Sequence, residues 1–271
     1  MHREAMDYFK QYLIVGGMPQ AVEKYVKTKS FKEVDLVKRD ILNLYKSDIL
    51  KYGGDDAIKV QSIFEEIPSQ LQKHEKRFTF NALKKEARFR EYKDAFFWLQ
   101  ESMTVNIAYN TTEPNIGLRL NRESSALKCY LGDTGLLISL AFDEKGLVDE
   151  DIYKKILFDK LSFNEGMIME NIVAQMLVAS GKKLYFYFNY DKYDKNNDME
   201  IDFLIAKDKI TSRHNVSPIE VKSGKNYSFV SLDKFRKKYK EYLYTNYVLH
   251  TSDLKVEDDI VFLPVYMTGL L

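Results

Sequence analysis

With 271 residues, 45% of them hydrophobic, the chain is long enough to bury a substantial core as one large domain or two modest ones. Its 41 Lys and Arg residues nearly balance its 40 Asp and Glu residues, so the overall charge argues neither for a constitutive nucleic-acid binder nor for a membrane-surface protein, and any such signal must be local. The single cysteine, Cys129, excludes an internal disulfide framework, and we expect it to be buried in a strand. No apolar run approaches the roughly 18 to 20 residues of a membrane-spanning helix, and the first residues do not resemble a secretory signal. We therefore expect a soluble cytoplasmic protein.

The first 150 residues are predicted to be mostly helical. Apolar residues at three- and four-residue steps support the first and third of six expected helices, which cover residues 3–15, 20–28, 31–52, 55–78, 79–87 and 90–102. The Thr79 hydroxyl is expected to cap the fifth of them. Two strands, residues 103–110 and 125–133, follow with a turn between them. Helices followed by a two-stranded hairpin are the order of a winged helix.

A local excess of positive charge lies within this first part. Residues 73–93 contain eight basic residues against three glutamates in an otherwise neutral chain. Basic side chains on one side of a winged helix would neutralise DNA phosphates, and binding would weaken as the salt concentration rises. The candidate nucleic-acid-binding residues are Lys76, Arg77, Lys84, Lys85, Arg88 and Arg90. The alternative is an ordinary solvated helix face or an oligomer contact.

From about residue 160 the pattern changes to alternating helices and strands. A helix is expected over residues 164–180, and a second helix over residues 228–243. Five strands are expected, at residues 183–190, 200–206, 217–224, 246–251 and 260–266. The whole chain is therefore predicted to be α+β, with a helical first part and a mixed central sheet in the second.

Charged residues interrupt two of these apolar strands. Because side chains alternate along a strand, Glu220 and Lys222 share one face, and the same alternation pairs Glu200 with Asp202. If the two strands are neighbours, Asp202 and Glu220 meet, and Mg²⁺ would relieve their mutual repulsion. Lys222 would then stabilise a hydroxide or the charge on a reacting phosphate. The alternative is a structural role, either as charges on an edge strand or as an ion pair between Asp202 and Lys222.

This arrangement resembles the restriction-endonuclease-like (PD-(D/E)xK) phosphodiesterases, whose signature is an acidic residue on one strand followed by (Asp/Glu)-x-Lys on the next. The matching residues are Asp202 and then Glu220-Val221-Lys222. A glutamate on the first helix often completes the metal site of that superfamily, and Glu170 stands at the matching position. The resemblance implies Mg²⁺ ligands at Asp202, Glu220 and Glu170, with Lys222 as the electrostatic catalyst.

A wider resemblance covers nearly all of the chain. Six motifs in order, "YLIVGGMPQAV", "YKSDILKY", "LKCYLGDTGLL", "MENIVAQ", "EIDFLI" and "PIEVKSG", resemble the carboxy-terminal part of a prokaryotic family of AAA-type ATPases. In that family a P-loop core precedes a winged helix and a nuclease-like domain of unknown function. The resemblance implies a remnant of the ATPase lid at residues 1–30, a winged helix at 31–155 and a restriction-endonuclease-like domain at 156–271.

The chain departs from this family in lacking the phosphate-binding G-x-x-x-x-G-K-[ST] loop, so no ATP site is expected here. We expect a fragment or truncated gene product whose partner is an upstream ATPase core. Two functions follow as alternatives: a DNA-binding, Mg²⁺-dependent nuclease-like module, or a non-catalytic module that binds nucleic acid or a protein partner. The sequence does not fix the oligomeric state.

Overall fold

A computed structural model describes residues 1–73, 75–115, 117–142, 153, 155, 165–207, 209, 211–224 and 227–271. These residues form two compact units, the first made of residues 1–106 and 129–175 and the second of residues 107–128 and 176–271. Helices dominate the first half and a mixed sheet the second, so the predicted α+β class is confirmed. The predicted domain boundaries after residues 30 and 155 stay predictions, and residue 156 lies outside the described residues.

The first unit is built from helices. They are α1 (His2–Val15), α2 (Pro19–Thr28), α3 (Phe31–Tyr52), α4 (Ala57–Gln72), α5 (Phe89–Glu101) and α6 (Thr134–Ala141), and α7 (Glu165–Ala179) begins in this unit. Local sequence explains several ends. Pro19 occupies the first turn of α2, where its missing N–H costs nothing, and the Ser30 hydroxyl caps α3 by accepting from the Glu33 N–H at 3.3 Å. No helix within the described ranges is both long and apolar enough to cross a membrane.

The helix expected over residues 79–87 is absent, and a single 3₁₀ turn at Phe80–Ala82 replaces it. The Thr79 hydroxyl does not cap that turn, and the Thr79 N–H instead donates to Gln70 Oε1 at 2.9 Å. Phe78 and Phe80 pack edge-on against Phe96 of α5, with ring centroids 5.1 and 5.9 Å apart. This aromatic packing overrides the local helical preference.

A buried lysine links α1, α3 and α6. Lys38 of α3 donates to the carbonyl oxygens of Ile14 at 2.8 Å and Gly135 at 3.2 Å. Burial lowers the pKa of Lys38 to about 8, while the negative charges of Asp35 and Asp133 act in the opposite direction. The lysine therefore satisfies backbone acceptors at the end of one helix and in the first turn of another.

A buried carboxylate joins two of the quoted sequence motifs. Asp133 Oδ1 accepts from the Leu136 N–H at 2.8 Å and so caps α6, while Oδ2 accepts from the Gly17 N–H at 2.6 Å. Gly16 has a φ of 81°, and a Cβ there would lie 2.3 Å from Asp133 Oδ1. Only glycine fits this position, which explains the Gly-Gly pair that follows α1.

The second unit is built around an eight-stranded mixed sheet with the order β2-β1-β3-β4-β5-β6-β8-β7. The strands are β1 (Val105–Thr111), β2 (Arg122–Leu131), β3 (Tyr185–Asn189), β4 (Met199–Ala206), β5 (Val216–Val221), β6 (Asn246–His250), β7 (Lys255–Glu257) and β8 (Ile260–Pro264). The expected hairpin strands β1 and β2 join this sheet, because β1 pairs in parallel with β3. Cys129 lies buried in β2, as predicted.

Strand β4 runs antiparallel to both of its neighbours, β3 and β5, and β5, β6 and β8 are parallel. Helix α8 (Val230–Tyr239) connects β5 to β6 and buries Leu232 and Phe235 in the apolar cluster of this unit. It ends earlier than the predicted residue 243. The short edge strand β7 was not predicted, and the last strand ends at Pro264 and continues as a 3₁₀ helix, Val265–Leu270.

Candidate metal site on strands β4 and β5

Strands β4 and β5 are antiparallel neighbours, and their register pairs Phe203 with Ile219. Beyond this pair a side chain makes the contact between the two strands: Asp202 Oδ2 accepts a hydrogen bond from the Val221 N–H at 2.8 Å. The Asp202 carboxylate is therefore held against the Glu220-Val221-Lys222 stretch of β5. The structure thus brings together three of the four predicted catalytic residues, all of them in the second unit.

The pairing of β3 with β4 shifts beside Asp202. Tyr185 faces Leu204 and Tyr187 faces Ile201, so three residue steps on β4 match two steps on β3. The extra residue lies in the Asp202–Phe203 stretch. Such irregularities re-aim side chains and bend a strand locally. Burial nevertheless still alternates from Met199 to Phe203, with Glu200 and Asp202 both half-buried, so this stretch keeps the alternation from which their shared face was predicted.

Glu220 is the buried centre of the site, with only 4% of its surface exposed. Its Oε2 lies 2.5 Å from Lys222 Nζ, whereas its Oε1 is buried and has no hydrogen-bond partner among the described residues. Burial raises the pKa of Glu220 to about 8, the Asp202 charge adds to this, and the Lys222 ammonium opposes it. An unpartnered carboxylate oxygen beside a second carboxylate is an arrangement that a cation would stabilise.

A second lysine near this site was not predicted. Lys128 of β2 has a side chain only 1% exposed, and its Nζ lies 2.7 Å from Glu200 Oε1 and 5.0 Å from the centre of the Phe186 ring. The charge of Glu200 makes a smaller contribution to the raised pKa of Glu220. The sequence feature that could have indicated a buried, paired Lys128 is its position inside the apolar run "ALKCYL", but sequence alone could not identify its partner.

Glu170 has partners within the first unit. Its Oε1 forms an ion pair with Lys76, and its Oε2 accepts from the Tyr130 hydroxyl at 3.2 Å. The Lys76 side chain is only 12% exposed, so it does not belong to a solvated basic face. The predicted metal ligand and the predicted phosphate contact are thus bound to each other.

The remaining candidate nucleic-acid contacts are more accessible. Lys84, Lys85, Arg88 and Arg90 are exposed, whereas Arg77 is half-buried and its guanidinium lies 3.0 Å from Glu75 Oε2. The four exposed residues lie between the 3₁₀ turn and the first turn of α5. They are free to reach an external anion without rearrangement of the core.

The donor set at β4 and β5 suits a hard divalent cation. Within the described ranges no group of three or more His, Cys, Asp or Glu side chains is arranged to hold a metal ion. Magnesium nevertheless commonly uses one or two carboxylates and takes its remaining ligands from water and substrate phosphate. Asp202 and the orphan oxygen of Glu220 fit that pattern.

The comparisons with known proteins give the family but no activity. A family model described as a domain of unknown function, DUF8612, matches residues 6–146, which is more than half of the chain. The chain belongs to the DUF8612 family. A second model, for the domain of unknown function DUF4143, matches residues 165–267, and that domain is associated with the C-terminal part of AAA-type ATPases. Neither the curated proteins nor the solved structures contain a match.

The buried Glu220 is expected to make the stability of this member of the DUF8612 family depend on pH. The pKa of Glu220 is about 8 when folded, against an ordinary value of 4.5, so the folded state binds more protons between these values. Without metal, the free energy of unfolding is therefore expected to fall from pH 4.5 to 8, by at most about 1.4 kcal/mol per pH unit. Urea unfolding in EDTA at several pH values measures this. Glu220→Gln should flatten the profile and the exposed Glu241→Gln should not; an unchanged profile in Glu220→Gln would contradict the assignment.

Proposed function

We propose that this chain is a nuclease-like, DNA-binding module of an AAA-type ATPase, with a Mg²⁺-dependent phosphodiesterase site on β4 and β5. The observation that carries the proposal is the orphan Oε1 of buried Glu220, which lies beside Asp202 and Lys222. The winged helix, the restriction-endonuclease-like fold and a cytoplasmic location belong to the same proposal. The association of DUF4143 with ATPases supports an upstream ATPase core as the partner.

Each residue of the site has a separate role in this proposal. Asp202 and Glu220 would hold the ion, which when bound polarises a phosphate oxygen and lowers the pKa of water. The Val221 N–H fixes the orientation of the Asp202 carboxylate. Hydrolysis joins a water oxygen to phosphorus and breaks a bond from phosphorus to a sugar oxygen. The Lys222 ammonium would offset the negative charge that accumulates on the phosphate. Glu170 enters as an auxiliary ligand through the resemblance only.

The exposed basic residues of the first unit supply the proposed DNA contacts. Lys84, Lys85, Arg88 and Arg90 carry positive charge into solvent, as phosphate binding requires. Arg77 and Lys76 would contribute less, because each already lies close to a glutamate.

The second candidate function is a non-catalytic binding or regulatory module of the same ATPase. Three contacts favour it: Lys222 lies 2.5 Å from Glu220, Glu170 forms an ion pair with Lys76, and Glu170 accepts a hydrogen bond from Tyr130. In that case the charged residues form a structural ion-pair network.

Removal of one carboxylate tests the proposal. The chain is expected to cleave single- or double-stranded DNA with Mg²⁺ or Mn²⁺ and not with EDTA. Asp202→Asn, which keeps the side-chain shape but removes the charge, should lower cleavage at least about 100-fold. It should also weaken Mn²⁺ binding measured by calorimetry. The exposed Asp258→Asn is the matched control and should behave as wild type. Wild-type chain that binds no Mn²⁺, or equal cleavage by Asp202→Asn, would leave the non-catalytic module as the function.

A further inference from the structure

The connection between β3 and β4 exposes two aromatic side chains to solvent. Tyr190 is 69% exposed and Tyr193 is 94% exposed. The connection is nevertheless ordered: Asp191 Oδ1 accepts from the N–H groups of Tyr193 at 2.9 Å and Asp194 at 3.1 Å, and Oδ2 accepts from Asn197 Nδ2 at 3.0 Å. A preformed turn that presents aromatic rings to solvent is typical of a contact surface rather than of a loose loop.

The basic helix α8 lies against the same connection. Lys234 Nζ donates to the carbonyl oxygens of Lys195 at 2.9 Å and Asp198 at 3.1 Å. Hydrogen bonding from Asn197 lowers the pKa of Asp191, and the positive charge of Lys238 contributes to that effect. The turn and the helix therefore form one continuous surface, made of residues 190–198 and 234–241, which we name the tyrosine–lysine surface.

The tyrosine–lysine surface is positively charged. It contains seven basic and four acidic residues, although the chain as a whole is close to neutral. Asp191, which follows Tyr190 in the sequence, directs its carboxylate oxygens into the hydrogen bonds of the turn. The exposed cations on both elements are Lys192, Lys195, Lys237, Lys238 and Lys240.

We propose that the tyrosine–lysine surface binds single-stranded nucleic acid. Exposed aromatic rings stack on bases, and flanking lysines contact the phosphates, which is the combination that proteins use for single strands. A duplex keeps its bases stacked on each other and would leave both rings unused. This inference rests on the proposed function, because it places the single strand near the proposed phosphodiesterase site. The tyrosine–lysine surface leads directly into β4. Asp202 follows Asp198 by four residues, or about 13 Å of strand. A single strand held here would pass close to the carboxylates.

Binding without cleavage tests this inference. The full chain is titrated in EDTA at low salt against a fluorescent 15-nucleotide oligothymidine and a duplex of equal length, with anisotropy as the readout. Tighter binding of the single strand is expected. Replacing both rings, Tyr190→Ala with Tyr193→Ala, should weaken it about ten-fold or more. Tyr8→Ala, which removes a 65% exposed tyrosine from α1, is the matched control and should bind as wild type.

The lysines supply a second readout. In the double variant Lys237→Ala with Lys238→Ala, log K should fall less steeply with log salt, the slope becoming less negative by about 0.7 for each lost phosphate contact. Unchanged binding after loss of both rings, duplex binding equal to that of the single strand, or preference for an acidic peptide would overturn the inference. Asp202→Asn should bind the oligonucleotide normally in EDTA. Cleavage that fails while ring-dependent binding persists therefore rejects the proposed nuclease and leaves the binding surface in place.

Discussion

Replacing Lys222 by alanine is expected to lower divalent-dependent phosphodiester cleavage by about 10²- to 10³-fold. The ammonium lies 2.5 Å from Glu220 Oε2 at the end of β5, where it would face the charge that develops on the reacting phosphate. Mn²⁺ binding should persist, because both carboxylates remain. This combination separates the two candidate functions, since a purely structural lysine would affect stability without a specific effect on the rate.

Two variants sharpen the experiment. Lys222→Arg keeps the charge but changes its shape, and it should restore part of the rate. Lys255→Ala removes an exposed lysine from the edge strand β7 and should leave the rate unchanged. Cleavage by Lys222→Ala within about three-fold of wild type, measured by release of labelled fragments, would rule out an electrostatic role for Lys222.

Replacing Lys38 by methionine is expected to lower the free energy of unfolding by about 2 to 5 kcal/mol. Methionine keeps the length and apolar stem of the side chain, so packing changes little. The loss arises because the buried carbonyl oxygens of Ile14 and Gly135 lose their donor and two carboxylates lose a neighbouring cation. Urea denaturation measures the change. The matched control is Lys51→Met at the exposed end of α3, and a loss below about 1 kcal/mol in Lys38→Met would contradict this account.

The contribution of Lys38 has its own pH dependence. Its pKa is about 8 when folded and 10.5 ordinarily, so the unfolded state binds more protons between these values. Its contribution to the free energy of unfolding should therefore rise from pH 8 to 10.5. Glu220 acts with the opposite sign below pH 8. Together the two groups should produce a minimum of stability near pH 8, and Lys38→Met should remove the rise above it.

Sequence reasoning succeeded where a short periodicity decides the structure. Alternation along β5 correctly placed Glu220 and Lys222 together, and apolar steps of three and four located most helices of the first unit. It failed at residues 79–87, where packing of Phe78 and Phe80 on Phe96 decides the conformation. It also missed β7, which has only three exposed residues at the edge of the sheet.

The finer geometry of the site depends on contacts that no local pattern encodes. The shift beside Asp202 arises from pairing with β3, a separate strand. Lys128 is far from Glu200 in sequence, and β1 and β3 lie between their strands in the sheet. Glu170 matched a motif position, yet its nearest partner is Lys76 from a segment that was interpreted as a DNA contact. Sequence thus identified the residue types, and tertiary pairing determined which of them meet.

The shared sheet determines how the gene can be divided for expression. The second unit includes residues 107–128, which interrupt the sequence of the first unit, and β1, most of which lies in that stretch, pairs with β3. A fragment starting at residue 165 would include the whole DUF4143 match yet strip β3 of its neighbour. The bare edge would expose unpaired backbone groups and invite aggregation. Cloning boundaries taken from the family match alone should therefore yield insoluble protein, whereas retaining residues 105–131 as well keeps the whole of β1 and β2 in the sheet.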